Sequence, residues 1–438
     1  MYRKLLVILL LPLAMLPIGR VQAQGLTLDI VNGVPSATPI AVVPFAFEGA
    51  GLPPSTDVAD VIRMDLNRSG KFRSLAKNDV VEYPHRGNEV KFATWNMLKQ
   101  DYLVIGRLRD ADGGKGELTV EFELFNVPKK EQMLALSVTG QPAELRSVAH
   151  QIADIIYEKI TGVRGAFWTR VAYVTVTGSG SNSDYSLVVA DSDGHNPQTV
   201  VRSRETLMSP AWSPDGSELA YVSFESGNSA IYTQNVATGS RRLISARKGI
   251  NGAPAFSPDG TKLALVLSYT GNPEVYVMDL ASKALTRLTH NYSIDTEPQW
   301  TPDGQSLIFT SDRSGKPQLY QIPATGGSPT RITFQGEYNS NSSISYDGKR
   351  IAMVQGSGNV YRIAVMDRGL GGQVHLISPG DMDESPSFAP NASMLLYAAT
   401  DGSRGVLYAV SADGRVRQRL LLSNGDVREP AWGPYRPR

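Results

Sequence analysis

The 438-residue chain contains no cysteine, which excludes disulfide staples, thiolate metal sites, a cysteine nucleophile and a lipid-modified N-terminal cysteine. It also lacks a surplus of either charge. Forty-three basic residues stand against 42 acidic ones, so long-range attraction to nucleic acid or to an anionic membrane is not expected. Histidine is scarce: His85, His150, His195, His290 and His375 are far apart and none belongs to an H-E-x-x-H pattern, whereas a metal hydrolase needs clustered ligands. There is no G-x-S-x-G nucleophile elbow and no phosphate-cradling glycine pattern. Long apolar runs are missing too, apart from residues 5–16, interrupted only by Pro12. That run falls short of the roughly 20 residues of a membrane-spanning helix. With Arg3 and Lys4 before it and Val21-Gln22-Ala23 after it, residues 1–23 read as a cleaved export signal. The expected product is exported and soluble, which in a bacterium means the periplasm.

What is present divides into two domains, with boundaries expected at residues 34–162 and 163–438. In the first, residues 40–47 read as a buried strand rich in β-branched and aromatic residues. Pro53-Pro54-Ser55-Thr56-Asp57 is a loop and helix N-cap signal, and the helix after it carries Val58, Val61, Ile62 and Leu66 on one face, stopping near Gly70. Residues 102–108 form another apolar strand. Leu118, Val120, Phe122 and Leu124 alternate with polar residues, and this strand pairs with residues 134–138 as a hairpin. A last amphipathic helix carries Leu145, Val148, Ala149, Ile152, Ile156 and Ile160, and ends at Gly162. His150 falls on its polar side, four residues from Asp154, as a solvated pair. This is a small α+β domain.

Beyond Gly162 the sequence repeats itself. Pro210-Ala211-Trp212-Ser213-Pro214-Asp215-Gly216 returns from Pro254 and from Pro298, with weaker copies at Ser342, Pro386 and Pro430. Each start lies 44 residues after the last, the mark of a propeller or solenoid. Proline at the second turn position presets a type I turn and glycine suits the fourth. Every repeat supplies four short strands, one propeller blade. Residues 171–176, 187–190 and 198–201 supply strands two, three and four of a blade that lacks its first strand, and the sixth copy supplies only a first strand. Joining them gives a six-bladed β-propeller closed by the C-terminal strand, with no exposed sheet edge.

The signal, the α+β domain and the Pro-Ala-Trp/Phe-Ser-Pro-Asp-Gly repeats together resemble the TolB family, periplasmic components of the Tol-Pal envelope system. The resemblance covers the whole chain. Its most specific stretches are Pro39-Ile40-Ala41-Val42-Val43-Pro44-Phe45, residues 251–260, and Thr296-Glu297-Pro298. It implies a scaffold without cofactor or enzymatic activity, supporting outer-membrane integrity and envelope constriction at cell division. It implies two partners: the peptidoglycan-associated lipoprotein Pal on one propeller face, and the inner-membrane protein TolA on the mature N-terminal segment. No nucleic acid is implied, membranes are reached through partners only, and the chain alone is expected to be a monomer.

The architecture independently offers a binding face. Loops joining strand four to the next strand one, and strand two to strand three, open on one side, where they are longer than the turns opposite. Matching the family's Pal-contacting motif are Leu207, Met208, Asn251, Ala253, Thr296 and Glu297, with Ile250 where family members can carry a histidine. Asn339, Asp383 and Glu384 are the equivalent rim of later blades, placed in loops by architecture; the copy at Ser342 lacks the proline. The expected TolA-binding segment is Gln24, Gly25, Leu26, Thr27, Leu28, Asp29, Ile30, Val31, Asn32 and Gly33, an extended strand able to detach at Asn32-Gly33 and add to a partner's sheet. Its alternative is an edge strand on its own domain. The rival class is a propeller enzyme. Asp295, Glu297, Asp381, Asp383 and Glu384 could serve a glycosidase or hold a divalent ion, but rim solubility and partner recognition explain them equally. His290 is the one histidine expected on the binding face.

Overall fold

A computed structural model of the chain describes residues 26–32, 37–113, 116–369, 371–422 and 424–437. The signal, together with Gln24, Gly25 and Gly33 of the N-terminal segment, lies outside the described residues.

The N-terminal domain is built on one mixed sheet. β2 (Thr38–Val42) pairs in parallel with β4 (Phe72–Ser74) and β5 (Tyr102–Asp110), and β5 continues antiparallel through β6 (Leu118–Asn126) to β7 (Glu131–Gly140). The strand expected over residues 40–47 is broken after Val42, and β3 (Ala46–Phe47) pairs separately with the far end of β5. Pro44, which has no N–H for a ladder, lies in the break. Helices α1 (Val58–Arg68) and α3 (Leu145–Thr161) cover one face, burying Val58, Ile62, Leu66, Leu145, Val148, Ile152 and Ile156 against Ile40, Val104, Val120 and Phe122. The other face packs on the short α2 (Phe92–Met97) through Trp95. Burial on both faces explains the unbroken apolar run of residues 40–43. Asp57 caps α1 by accepting from the Asp60 amide at 3.0 Å, and Gly162 ends α3 at a left-handed φ of 75°.

The propeller has six four-stranded blades, and blade 6 carries an additional strand. Blade 1 joins Arg170–Thr177, Asp184–Asp191 and Gln198–Ser203 to the C-terminal strand Asp426–Trp432, whose ladder runs from Asp426 opposite Val176 to Trp432 opposite Val171. The ring is therefore closed by the two ends of the repeat region. Blades 2 to 6 begin with Leu207–Trp212, Asn251–Phe256, Asp295–Trp300, Tyr338–Ile344 and Glu384–Phe388. The repeated tryptophans tie neighbours together: Trp212 Nε1 donates to the Ala431 carbonyl at 3.0 Å and Trp300 Nε1 to that of Ala255 at 3.1 Å.

The repeated chemistry of the turns is structural. Ser213 donates to Asp215 at 2.6 Å and accepts from the Glu218 amide at 2.9 Å, while the Gly216 amide closes onto the Ser213 carbonyl at 2.9 Å. Ser257 with Asp259, Thr301 with Asp303 and Ser345 with Asp347 repeat the first bond. The hydrogen bonds from Ser257 and Thr261 hold the Asp259 carboxyl down at about 2. Each such aspartate is committed to its turn.

Candidate partner-binding face

The first strands of successive blades pack on one another around the ring. In every blade the ladder between first and second strands slips at the same point: after Met208, Gly252, Thr296, Ser340, Glu384 and Arg428. The next residue in each case is left-handed, with φ of 53° at Ser209, 45° at Ala253, 55° at Glu297, 49° at Asn341, 54° at Ser385 and 53° at Glu429. None is glycine, and each such residue carries roughly 1–2 kcal/mol of strain. Six strained bulges in one register make the inner rim a built feature of the fold. Asn341 takes the same conformation without the proline that follows the other five, so the weak repeat keeps the rim geometry.

The sequence places these residues in loops; the structure puts most of them on the bulged first strands, because the ladder begins earlier than the Pro motif suggests. Leu207, Asn251, Asp295, Asn339, Asp383 and Val427 occupy one register and are all buried. Asn251 accepts from the Arg247 amide at 2.9 Å and donates to the Arg247 carbonyl at 2.6 Å, which folds the loop before it. Asn339 donates to the Gln335 carbonyl at 2.9 Å, and Asp383 accepts from the Gly380 amide at 3.1 Å. Asp295 is held by both oxygens on Arg313, at 2.9 and 2.7 Å. Four of the expected site residues (Leu207, Asn251, Asn339 and Asp383) thus shape the rim from beneath. Met208, Ala253, Thr296 and Glu297 are partly accessible, and Ile250 and Glu384 are exposed.

Residues not singled out from sequence complete this surface. Tyr269, Tyr292, Ile294, Phe334 and Met382 join Ile250 as exposed large apolar side chains, Tyr292 without any cover. Arg247, from a loop between blades, stacks 4.9 Å from the ring of Tyr269, from a loop within blade 3, so both loop sets share a side. Their signal in the sequence is apolar residues in otherwise polar loops. His290 is exposed in the same loop as Tyr292.

Two bulge residues are acidic. Glu297 accepts from Thr310 Oγ1 and from the Asn341 amide, both at 2.7 Å, and Glu429 accepts from the Ser209 amide at 3.2 Å. Each glutamate thereby reaches the bulge of the next blade. Burial raises both carboxyls, that of Glu429 to about 7, against the pull of the Ser209 amide and with repulsion from Glu384 and Glu297 added. Of the five acidic residues considered for hydrolysis, Asp295 and Asp383 are buried in separate loop contacts and Asp381 points outward with 78% of its side chain exposed, while Glu297 and Glu384 both act on the Glu429 carboxyl.

Comparison with known proteins agrees with both halves of this architecture. The family described as TolB amino-terminal domain matches residues 26–133, and that described as TolB beta propeller domain matches residues 157–436. The Tol-Pal system protein TolB of Xanthomonas oryzae pv. oryzae is 67% identical over 432 residues, 98% of this chain and 97% of that protein. That of Xanthomonas euvesicatoria pv. vesicatoria is also 67% identical, over 98% of this chain and 96% of its own. The chain belongs to the TolB family. The crystal structure of TolB from Acinetobacter baumannii superposes with a TM-score of 0.86 at 40% identity, covering 93% of this chain and all of that one.

Within this TolB fold the N-terminal strand has an unexpected seat. β1 (Thr27–Asn32) does not join its own domain's sheet; it runs antiparallel to Arg417–Leu421 as a fifth, outermost strand of blade 6, with Thr27 opposite Leu421 and Ile30 opposite Gln418. His150 also departs from the expectation. It is 1% exposed and bonds Asp65 of α1, with Nδ1 and Oδ2 2.6 Å apart, instead of facing solvent beside Asp154. Asp154 is buried as well and caps the Phe167 amide at 2.7 Å; burial raises its carboxyl to about 6. The polar side of α3 is covered because the propeller packs on it.

Proposed function

We propose that this chain is a periplasmic scaffold that binds Pal through the loop face of the propeller and TolA through residues 24–33. It is a Tol-Pal system protein and not an enzyme, and membership of the TolB family implies the periplasm. Export by cleavage after Ala23, support of outer-membrane integrity and a part in constriction at cell division belong to the same proposal. The observation that carries the Pal reading is the set of exposed apolar side chains on the loops of blades 3 to 6, loops that buried Asn and Asp side chains hold in place. Several exposed large apolar side chains on one rigidly supported loop face are what a protein-binding site presents. Partly exposed Ala253 and Thr296 lie at the inner margin of that face.

The test is calorimetry with soluble Pal and the variants Ala253→Arg and Thr296→Arg. Bulk and charge at an interface centre cost roughly 2 kcal/mol, about a thirtyfold loss of affinity. The folds should survive, since Ala253 and arginine meet the same backbone strain at φ 45° and Thr296 is partly exposed. Unchanged affinity in both variants would move the Pal site elsewhere.

A further inference from the structure

The contact between the two domains includes a loop of blade 1, residues 191–196. Arg68, at the end of α1, donates to the Ser192 carbonyl at 3.1 Å and to Ser192 Oγ at 2.7 Å. Arg146 of α3 pairs with Asp193. His150 stands between the domains: Nδ1 faces Asp65 of its own domain, and Nε2 faces Asp193 of the propeller at 3.5 Å. Nε2 is buried without a hydrogen-bond partner. A neutral imidazole has one N–H and one lone pair, so either tautomer turns a lone pair toward a carboxylate. Only the imidazolium has a proton for each.

The same loop holds the start of the N-terminal strand. The Leu26 amide donates to the Gly194 carbonyl at 3.3 Å, and Leu26 is 6% exposed. Gly194 has a φ of 86°, and a Cβ there would lie 2.6 Å from that of Leu26. Gln418, on the strand to which β1 is paired, donates to the Arg68 carbonyl. We propose that His150, as an imidazolium bridging Asp65 and Asp193, is a pH-sensitive clamp between the domains, and that through the 191–196 loop it sets how firmly β1 stays docked. This deepens the reading of residues 24–33 as a partner-binding segment, and its consequence for TolA rests on that reading.

The charges acting on His150 are Asp65 and Arg68 on α1 and Asp193 on the blade 1 loop, with His195 and Arg146 bound to Asp193 and Asp154 on α3 coupled to Asp65. Burial pushes the imidazole pKa down, but the Asp65 and Asp193 carboxylates outweigh it and hold His150 above its ordinary 6.5, with Arg68 opposing. Burial likewise opposes ionisation of Asp193, yet His195, His150, Arg68 and Arg146 hold it well below the usual carboxylate range. A basic group raised in the folded state contributes fully below its unfolded value and loses that contribution as pH rises through its folded one. The clamp therefore holds at and below about pH 6.5 and loosens on the alkaline side. The three groups have the makeup of a metal site, with ligand atoms all within 4.8 Å. However, the two carboxylates flank opposite ring nitrogens and each already pairs with a guanidinium.

The test uses the full mature chain without partners. Histidine side-chain NMR follows His150, assigned by its loss in His150→Gln, and hydrogen exchange corrected for intrinsic rates follows the amides of residues 27–32. His150 should titrate above 6.5, and protection of β1 should fall severalfold as pH passes that midpoint. His150→Gln should leave β1 weakly protected at every pH, and Asp193→Asn should lower the midpoint. Should a variant fail to fold, the wild-type profile alone decides. A His150 midpoint at or below 6.5, or β1 protection flat from about pH 5.5 to 9, overturns the clamp. Neither measurement involves TolA, so loss of the clamp would leave the partner reading intact, and a segment that fails to bind TolA would leave the clamp intact.

Discussion

Glu429 shows how much a single register position decides. It occupies a strained bulge, reaches the next blade at Ser209, and is held at about 7 by burial, with the carboxylates of Glu384 and Glu297 adding to the shift. An acid raised in this way favours folding while protonated; the advantage is lost between its ordinary 4.5 and about 7 as pH rises. Glu429→Gln keeps the acceptor for Ser209 without the charge. It should leave stability unchanged near pH 4 and add roughly 2 kcal/mol at about pH 8, measured by denaturant unfolding at the two pH values. An equal effect at both would show that the carboxylate is solvated. The same register bears on the rim as a whole. Asn251, Asn339 and Asp383 share it with Asp295 at a 44-residue spacing, and all four are buried in hydrogen bonds to the loops above them. Recurrence at fixed spacing points to the scaffold, whereas Tyr292 and Phe334 are exposed apolar residues outside that register.

At the scale of elements, β1 is paired along one edge on blade 6 and is the outermost strand of that sheet, so a partner strand could add to its outer edge or replace blade 6 along the inner one. A chain beginning at Val34 should lose TolA binding and keep measurable affinity for Pal; retained TolA binding would place that site elsewhere. Gly194→Ala tests the anchor, since alanine at φ 86° is strained and its Cβ meets Leu26. Left-handed strain of roughly 1–2 kcal/mol predicts about a tenfold or greater loss of exchange protection in residues 27–32. Protection equal to wild type would show that Leu26 does not anchor the strand. The long helices and the β6–β7 hairpin were legible because period and caps agree over many residues. The short α2 and β4 were not, and neither was the burial of His150. Periodicity reports which side of a helix is apolar, while α3 buries its polar side against another domain through charges that only the fold brings together.

For the whole molecule, legibility came from repetition: six copies at a 44-residue period average away local ambiguity, and the incomplete blades at the two ends already required closure. The structure makes that closure a specific ladder, Asp426–Trp432 against Arg170–Thr177. Its removal would do more than free one strand. Trp432 packs into the blade 6 and blade 1 core and donates to Thr169 at 2.9 Å, and Ala431 provides the carbonyl that receives Trp212 of blade 2. Deleting residues 429–438 would leave Val171 and Ala172 on blade 1 unpaired, remove the Trp432 and Ala431 ties to the neighbouring blades, and take away the Arg436–Asp191 pair beside the interdomain loop. Losses of this kind add several buried contacts to an open sheet edge. The expected outcome is a fall in melting temperature of about 10 °C or more, or insoluble protein. A soluble deletion variant that melts with the full chain would mean that the ring does not depend on its C-terminal strand, and the closure drawn from the ladder would have to be abandoned.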